Sequence, residues 1–208
     1  MGSHPNLRYE RKLWRDGLTA IAGVDEAGVG PMAGPVVAAA VIFEPEVFIR
    51  GVNDSKQLKA EEREELFVKI SERAIAIGVG VASHHEIDEV NIFWATMAAS
   101  ARAVLTMLRA PDHVLVDGRL IPELSFPQTR IVGGDRKSFS IAAASIVAKV
   151  TRDRMMVEYD SEFPAYGFAQ HKGYCTPDHF ATLERFGPSP IHRRSFAPVW
   201  QAAQRKLF

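Results

Sequence analysis

The chain has 208 residues, 47% of them hydrophobic and 24% charged, with a formal net charge of zero. That leaves room for one well-buried domain and excludes a general polycation. No apolar run reaches the ~18 residues of a membrane helix, and no signal-peptide region opens the chain. The lone Cys175 excludes an internal disulfide and suits a reducing, cytoplasmic setting. Charge is unevenly spread: residues 1–129 are net acidic and residues 130–208 net basic. Such asymmetry suits a protein that grips a phosphate backbone around an acidic metal site, although chance can also place it on a solvated surface.

In chain order, residues 1–18 form an N-terminal segment whose start, Met1-Gly2-Ser3-His4, resembles an expression remnant and is set aside. Ile21–Ala27 and Pro35–Phe43 read as strands rich in valine and isoleucine, joined through Gly28–Gly34 as a hairpin. Ala60–Ala76 has helical spacing, with Leu66, Ile70 and Ala74 on one face. Glu61, Glu62, Glu64 and Glu65 occupy its first turns, where acids complement the helix dipole, and make a solvated face. A strand over Ile77–Ser83, a helix over Ile92–Leu108 and strands at His113–Asp117 and Thr129–Val132 follow. Lys137–Glu158 is the longest helical stretch, with an alanine-rich centre suited to packing on a sheet. From Phe163 on, glycine, proline and aromatic residues interleave, and Thr176-Pro177-Asp178-His179 opens a short helix as N-cap, proline and acid. The alternation predicts an α/β domain with a mixed sheet over residues 19–160. A C-terminal helical segment, residues 161–208, packs on the same domain.

Acids recur at the ends of apolar strands. Asp25 and Glu26 follow Ile21-Ala22-Gly23-Val24, Asp117 follows His113-Val114-Leu115-Val116, and Asp135 follows Arg130-Ile131-Val132-Gly133-Gly134. Two unit charges ~4 Å apart repel by ~4 kcal/mol at an effective dielectric near 20, so such a cluster takes up protons, pairs with cations or binds metal. Arg119, Arg136 and Lys137 are near enough in sequence for the ion-pair alternative. If metal is bound, oxygen ligands favour Mg2+ or Mn2+. Two such ions activate water and stabilise the leaving oxygen in phosphodiester cleavage. Asp25 and Glu26 are neighbours, so a strand sends them to opposite faces unless it ends or twists there.

The spacing Gly28-x-Gly30-x-x-x-Gly34 departs from the dinucleotide-binding pattern, and a strand-like run follows it where that pattern needs a helix. What the loop offers is backbone that a sugar or phosphate can approach closely. His171, Cys175 and His179 fall four apart like a helical zinc triad, but Gly173 and Pro177 break the helix that spacing requires. Tyr174 beside Lys172 reads as an exposed aromatic next to a phosphate-binding cation, or as a structural tyrosine.

Taken in order, several segments resemble bacterial ribonuclease HII. They are Gly23-Val24-Asp25-Glu26-Ala27-Gly28-Val29-Gly30-Pro31, Asn53-Asp54-Ser55-Lys56-Gln57-Leu58, Val116-Asp117-Gly118, Gly134-Asp135, the run from Ser140 to Val150 with Arg152-Asp153, His171-Lys172-Gly173-Tyr174 and Pro190-Ile191-His192-Arg193. The resemblance spans about Ile21 to Val199. It implies an RNase H-like mixed sheet flanked by helices with a C-terminal helical extension. It further implies a monomeric nuclease that uses two Mg2+ or Mn2+ ions. Its substrates would be RNA–DNA hybrids and DNA duplexes containing ribonucleotides, cut 5′ of a single ribonucleotide to leave 3′-hydroxyl and 5′-phosphate ends.

Carried over residue by residue, the family's metal-binding catalytic acids fall on Asp25, Glu26, Asp117 and Asp135. Its 2′-hydroxyl-sensing loop falls on Gly28, Val29 and Gly30, and its sugar-packing tyrosine on Tyr174. Asn53, Ser55, Lys56 and Gln57 would hold the opposite DNA strand, and Asp153 would be a surface or supporting residue. The chain departs from the family at Val29, where the loop usually carries a basic residue. Two other readings stay open: an RNase H-like nuclease for DNA junctions or single strands, and a non-catalytic nucleic-acid-binding module.

Overall fold

Valine- and alanine-rich stretches build a five-stranded sheet in the computed structural model, which describes residues 4–122 and 124–205. The strands are β1 (Ile21–Ala27), β2 (Val36–Phe43), β3 (Ala74–Ala82), β4 (His113–Asp117) and β5 (Gln128–Ile131), in the spatial order β3-β2-β1-β4-β5. The first three pair antiparallel, and β4 and β5 run parallel to β1. Parallel pairing of β1 with β4 carries the ends of both strands, and the acids on them, to one edge of the sheet. Open α/β sheets bind ligands at that kind of edge.

Seven described helices surround the sheet: α1 (Arg8–Arg15), α2 (Ala60–Arg73), α3 (His84–Leu105), α4 (Phe139–Glu162), α5 (Phe168–His171), α6 (Pro177–Phe186) and α7 (Ala197–Arg205). On one face, Ala95, Ala99 and Ala103 of α3 pack with Val24, Ala38 and Ala40. On the other, Ala143, Ile146 and Val147 of α4 and Ile70 of α2 pack with Ala39 and Val41. Small residues set how near the helices come. A Cβ on Gly78 would lie 1.9 Å from the Ala103 carbonyl oxygen, one on Gly80 2.0 Å from that of Ala99, and one on Gly23 2.1 Å from the Ser140 carbonyl carbon of α4. A side chain at any of these positions would push a helix off the sheet, at a cost of about 1–3 kcal/mol for overpacking.

Several boundaries differ from those periodicity predicts. Helix α2 stops at Arg73 and β3 begins at once at Ala74, because Ala74 pairs with Phe43 while also capping the helix through Ile70. The predicted helix over Ile92–Leu108 is the second part of α3, which starts at His84 behind a capping box: Ser83 Oγ accepts from the Glu86 N–H and Glu86 from the Ser83 N–H. Asn91, at φ 69°, kinks α3, and its Oδ1 accepts from the Phe93 and Trp94 N–H groups. Periodicity therefore located the re-capped part. Helix α4 runs from Phe139 to Glu162, offset from the predicted Lys137–Glu158 by its Ser138 N-cap.

Helix α1 was not anticipated, because its eight residues are mostly charged. Tyr9, Leu13 and Trp14 nevertheless pack against Ile21, Leu115, Ile131 and Ile141. Glu10 on the same helix is buried and accepts from the hydroxyls of Ser138 and Ser140, both at 2.6 Å, and from the Ser140 N–H at 3.0 Å. A carboxylate thus sits on the N-terminus of α4, where the helix dipole favours it. Met1, Gly2 and Ser3 of the supposed remnant lie outside the described residues, as do residues 206–208 of the C-terminal segment.

Candidate active site

Val24 and Val116 are register partners on β1 and β4, so the next residues, Asp25 and Asp117, end adjacent strands side by side. Asp135 reaches them from a single 3-10 turn, Gly134–Arg136, that follows β5. One carboxylate oxygen from each of Asp25, Asp117 and Asp135 lies within 4.8 Å of the others. The backbone holds this arrangement. Asp117 Oδ1 accepts from the Gly134 N–H at 2.7 Å, which ties β4 to the Asp135 turn, and Asp25 Oδ1 accepts from the Glu26 N–H at 2.8 Å. Asp25, only 4% exposed, also takes a hydrogen bond from Ser145 on α4.

Glu26 obeys strand alternation and faces α3, where it lines a cavity of about 490 Å3 with Val29, Ile92, Phe93, Thr96, Met97 and Asp117. It is not one of the three convergent acids, yet it feels their charge around the strand end. Burial, then the charges of Glu26 and Asp117, push the Asp25 carboxyl well above the usual range. Burial and Asp117 push Glu26 up to about 7. Burial, then Asp54 and Asp117, raise Asp135.

The ion pairs found here engage Asp135: Lys56 Nζ at 3.8 Å and Arg136 Nε at 3.9 Å, both near the outer limit for such a contact. Burial opposes the Lys56 charge, but Asp25, Asp54, Asp135 and Asp117 together raise its pKa. Arg119 lies over the Phe93 ring and Lys137 donates to the Val132 carbonyl. The raised pKa values show that the cluster still favours added positive charge, and its oxygen-only donors fit a hard divalent cation.

The glycine loop borders this edge. Gly28 has φ 93°, and a Cβ there would fall 2.1 Å from Arg152 Nε, so both conformation and space demand glycine. Gly30 has open space around it, and Val29 is 40% exposed. Of the residues assigned to the opposite strand, Lys56 and Gln57 are exposed. Asn53 and Gln57 bond to each other at 3.3 Å. Ser55 is buried, with its hydroxyl 2.8 Å from that of Ser145 and its carbonyl accepting from Arg63 at 3.1 Å. Lys172 is in the left-handed region at φ 52°, and its ammonium donates to the Ala169 carbonyl. Tyr174 is 38% exposed, with Lys149 5.2 Å and Arg152 5.6 Å from its ring centre. Asp153 pairs with Lys149 at 2.6 Å and Arg63 at 3.6 Å.

Two residues that the sequence analysis quoted only within matching segments, with no role given, frame this loop. Arg152 and Arg193 are fully buried. Arg152 donates to the carbonyls of Pro35, Lys172 and Ala33; Arg193 donates to those of Gly34, Val29, Gly28 and Pro35. Burial, then Arg152, pull Arg193 down to about 9, still cationic at neutral pH. The signal for them was indirect: the buried carbonyls of a Gly/Pro loop outside the sheet ladders must find donors elsewhere. The His171, Cys175, His179 spacing makes no zinc triad. Cys175 is exposed, whereas the His171 and His179 rings stack with centres 4.1 Å apart.

The family model for ribonuclease HII matches residues 22–199. A ribonuclease HII of Geobacillus thermodenitrificans (strain NG80-2) is 55% identical over 94% of this chain and 75% of its own length. One from Geobacter metallireducens is also 55% identical, over 91% of this chain and 92% of its own. The crystal structure of the ribonuclease H2 from Pyrococcus horikoshii OT3 superposes with a TM-score of 0.78 at 28% identity, covering 89% of this chain and 97% of that one.

Proposed function

The chain belongs to the ribonuclease HII family of RNA–DNA hybrid endoribonucleases, and within that activity we propose a role for each part of the site. The family is metal-dependent and the acid cluster suits a cation. Asp25, Glu26, Asp117 and Asp135 are the catalytic acids, holding two Mg2+ or Mn2+ ions. Bound there, the ions supply Lewis-acid stabilisation at the scissile phosphate and a water acidic enough to attack it. The protein's own part is preorganisation. Ser145 and the Glu26 N–H orient Asp25, the Gly134 N–H orients Asp117, and the proton released goes to solvent or to a substrate phosphate oxygen.

Recognition falls to the bordering residues. The backbone of Gly28, Val29 and Gly30 meets the 2′-hydroxyl, with the bare Gly30 allowing close approach. Tyr174 packs on the following sugar. Lys56, Asn53, Gln57 and the backbone of Ser55 hold the opposite strand, as short polar donors and a lysine suit phosphate contacts. Lys172 adds positive charge beside Tyr174. Residues 19–160 carry the chemistry together with the loop and opposite-strand contacts, and residues 161–208 add Lys172 and Tyr174, in a cytoplasmic monomer. No described helix is long and apolar enough to cross a membrane.

The observation that carries this reading is the convergence of three carboxylates, two at strand ends and one on the turn after β5, beside a loop with open backbone. The test is cleavage of a DNA duplex containing one internal ribonucleotide, with Mg2+, Mn2+ or chelator, with the cut mapped. Metal-dependent scission on the 5′ side of the ribonucleotide is expected. Equal scission of an all-DNA duplex would overturn the substrate assignment. In the same assay Val29→Arg should tighten binding and steepen its salt dependence by about one phosphate contact. No change in either would show that the loop's side chain is immaterial.

A further inference from the structure

Three histidines pack in the C-terminal segment beside Tyr174, and their partners assign every ring proton. The Ser189 N–H donates to His192 Nδ1 at 2.9 Å, so the His192 proton is on Nε2. That Nε2 lies 3.0 Å from His179 Nε2, which must therefore accept. The His179 proton is then on Nδ1, 2.9 Å from the Tyr174 carbonyl oxygen. The third ring follows the same logic: the Gly173 N–H donates to His171 Nδ1 at 3.1 Å, and His171 Nε2 donates to the Tyr166 carbonyl at 2.8 Å. His179 and His192 are fully buried around the Phe168 ring. Burial lowers His179 to about 4 against the opposing hydrogen bond to Tyr174, and burial with His179 and His171 lowers His192 to about 3, so both rings stay neutral near neutral pH.

The chain of bonds ends on the residue proposed to touch the sugar. Around it the backbone is tied on every side. The Lys172 carbonyl accepts from Arg152, the Gly173 carbonyl from the Met32 N–H at 3.0 Å, and the Tyr174 N–H donates to the His171 carbonyl at 2.9 Å. A Cβ on Gly173 would come 2.5 Å from the Ala33 carbonyl oxygen, so this turn sits directly on the loop after Gly30. The Tyr174 ring itself remains partly exposed. An apolar core needs no such polar series, since hydrophobic residues of similar shape would fill it without unpaired donors.

We propose that His192 and His179 form a one-way hydrogen-bond relay that positions Tyr174 against the substrate, which makes both histidines positioning residues for recognition of the ribonucleotide junction. The proposal rests on the reading of Tyr174 as a substrate contact. Its test is a double-mutant cycle on a duplex with one ribonucleotide, reading KM and kcat separately. Tyr174→Ala should raise KM about tenfold, the scale of losing one aromatic packing contact. His179→Phe keeps a ring but not the donor, and should raise KM about fivefold with kcat within about twofold. Added to Tyr174→Ala, it should do nothing further.

His179→Asn places an amide donor near the Nδ1 position and should restore KM to within about twofold of the parent. It also serves if the phenylalanine variant does not fold. Additive losses in the cycle, or an asparagine variant as impaired as the phenylalanine one, overturn the relay. No effect of Tyr174→Ala alone would instead remove the substrate reading on which the relay depends.

Discussion

At the ends of β1 and β4 carboxylates crowd together, and the cations that approach engage Asp135 from near 4 Å. One loop away, Arg152 and Arg193 are at least as deeply buried, but their guanidinium groups meet a ring of backbone carbonyls. Both clusters place charge out of water. Burial shifts the pKa values of both, raising Asp25, Glu26 and Asp135 and lowering Arg152 and Arg193. The arginines, however, are held by carbonyls at hydrogen-bond distance, whereas the acids mainly face one another. Unrelieved repulsion marks a place built for a ligand, and satisfied burial marks a place built to hold shape.

Neutralising one acid separates these roles most sharply. Asp25→Asn should lower cleavage by roughly a thousandfold or more while leaving thermal stability unchanged or raised, because it removes a like charge from the cluster. Retained activity, or loss of activity explained by unfolding in a melting experiment, would break the contrast. The opposite pattern is expected at the clamp. Arg193→Gln should destabilise the protein by about 3 kcal/mol in denaturant unfolding, since buried carbonyls lose their donors. Lysine should not rescue it, because one ammonium cannot reproduce the planar fork. A fully stable Arg193→Gln variant would contradict the role given to the clamp.

The smallest effect comes from protons. Glu26 has its pKa raised from the ordinary 4.5 to about 7, so the metal-free native state holds a proton the unfolded chain releases, and stability falls as pH rises through that window. His179 and His192 work the other way: their native values of about 4 and about 3 lie below 6.5, so stability falls as pH drops below 6.5. His171 and Arg194 face His192 and resist its protonation. Each group contributes at most about 1.4 kcal/mol per pH unit. Between pH 5 and 7, melting temperature should change little without metal. With Mn2+, which displaces protons from the acids, it should climb with pH. A metal-independent slope would mean that the acids do not bind the cation.

Much of this was legible along the chain because it is local. Asp25, Glu26 and Asp117 stand at the ends of apolar runs, and strand ends can be found from hydrophobic patterning and glycine punctuation. The same locality gave the Thr176-Pro177 cap of α6, where the Thr176 hydroxyl accepts from the His179 N–H. Ser55 shows where it failed. A short polar residue among phosphate-binding types looks exposed, but α4 packs over it and turns its hydroxyl toward Ser145. Helix α1 failed for a related reason, since its charged residues gain order only by packing on distant strands and by burying Glu10 against α4.

The amino-acid order by itself determined which residues carry negative charge at strand ends, which segments alternate or repeat as strand and helix, and where glycine leaves backbone bare. Only the tertiary structure decided that β4 lies parallel beside β1, so that Asp25 and Asp117 become neighbours, and that Arg152 and Arg193 face inward. Periodicity is a property of a few successive residues, whereas strand order and the burial of a long cationic side chain depend on contacts between segments far apart in the chain.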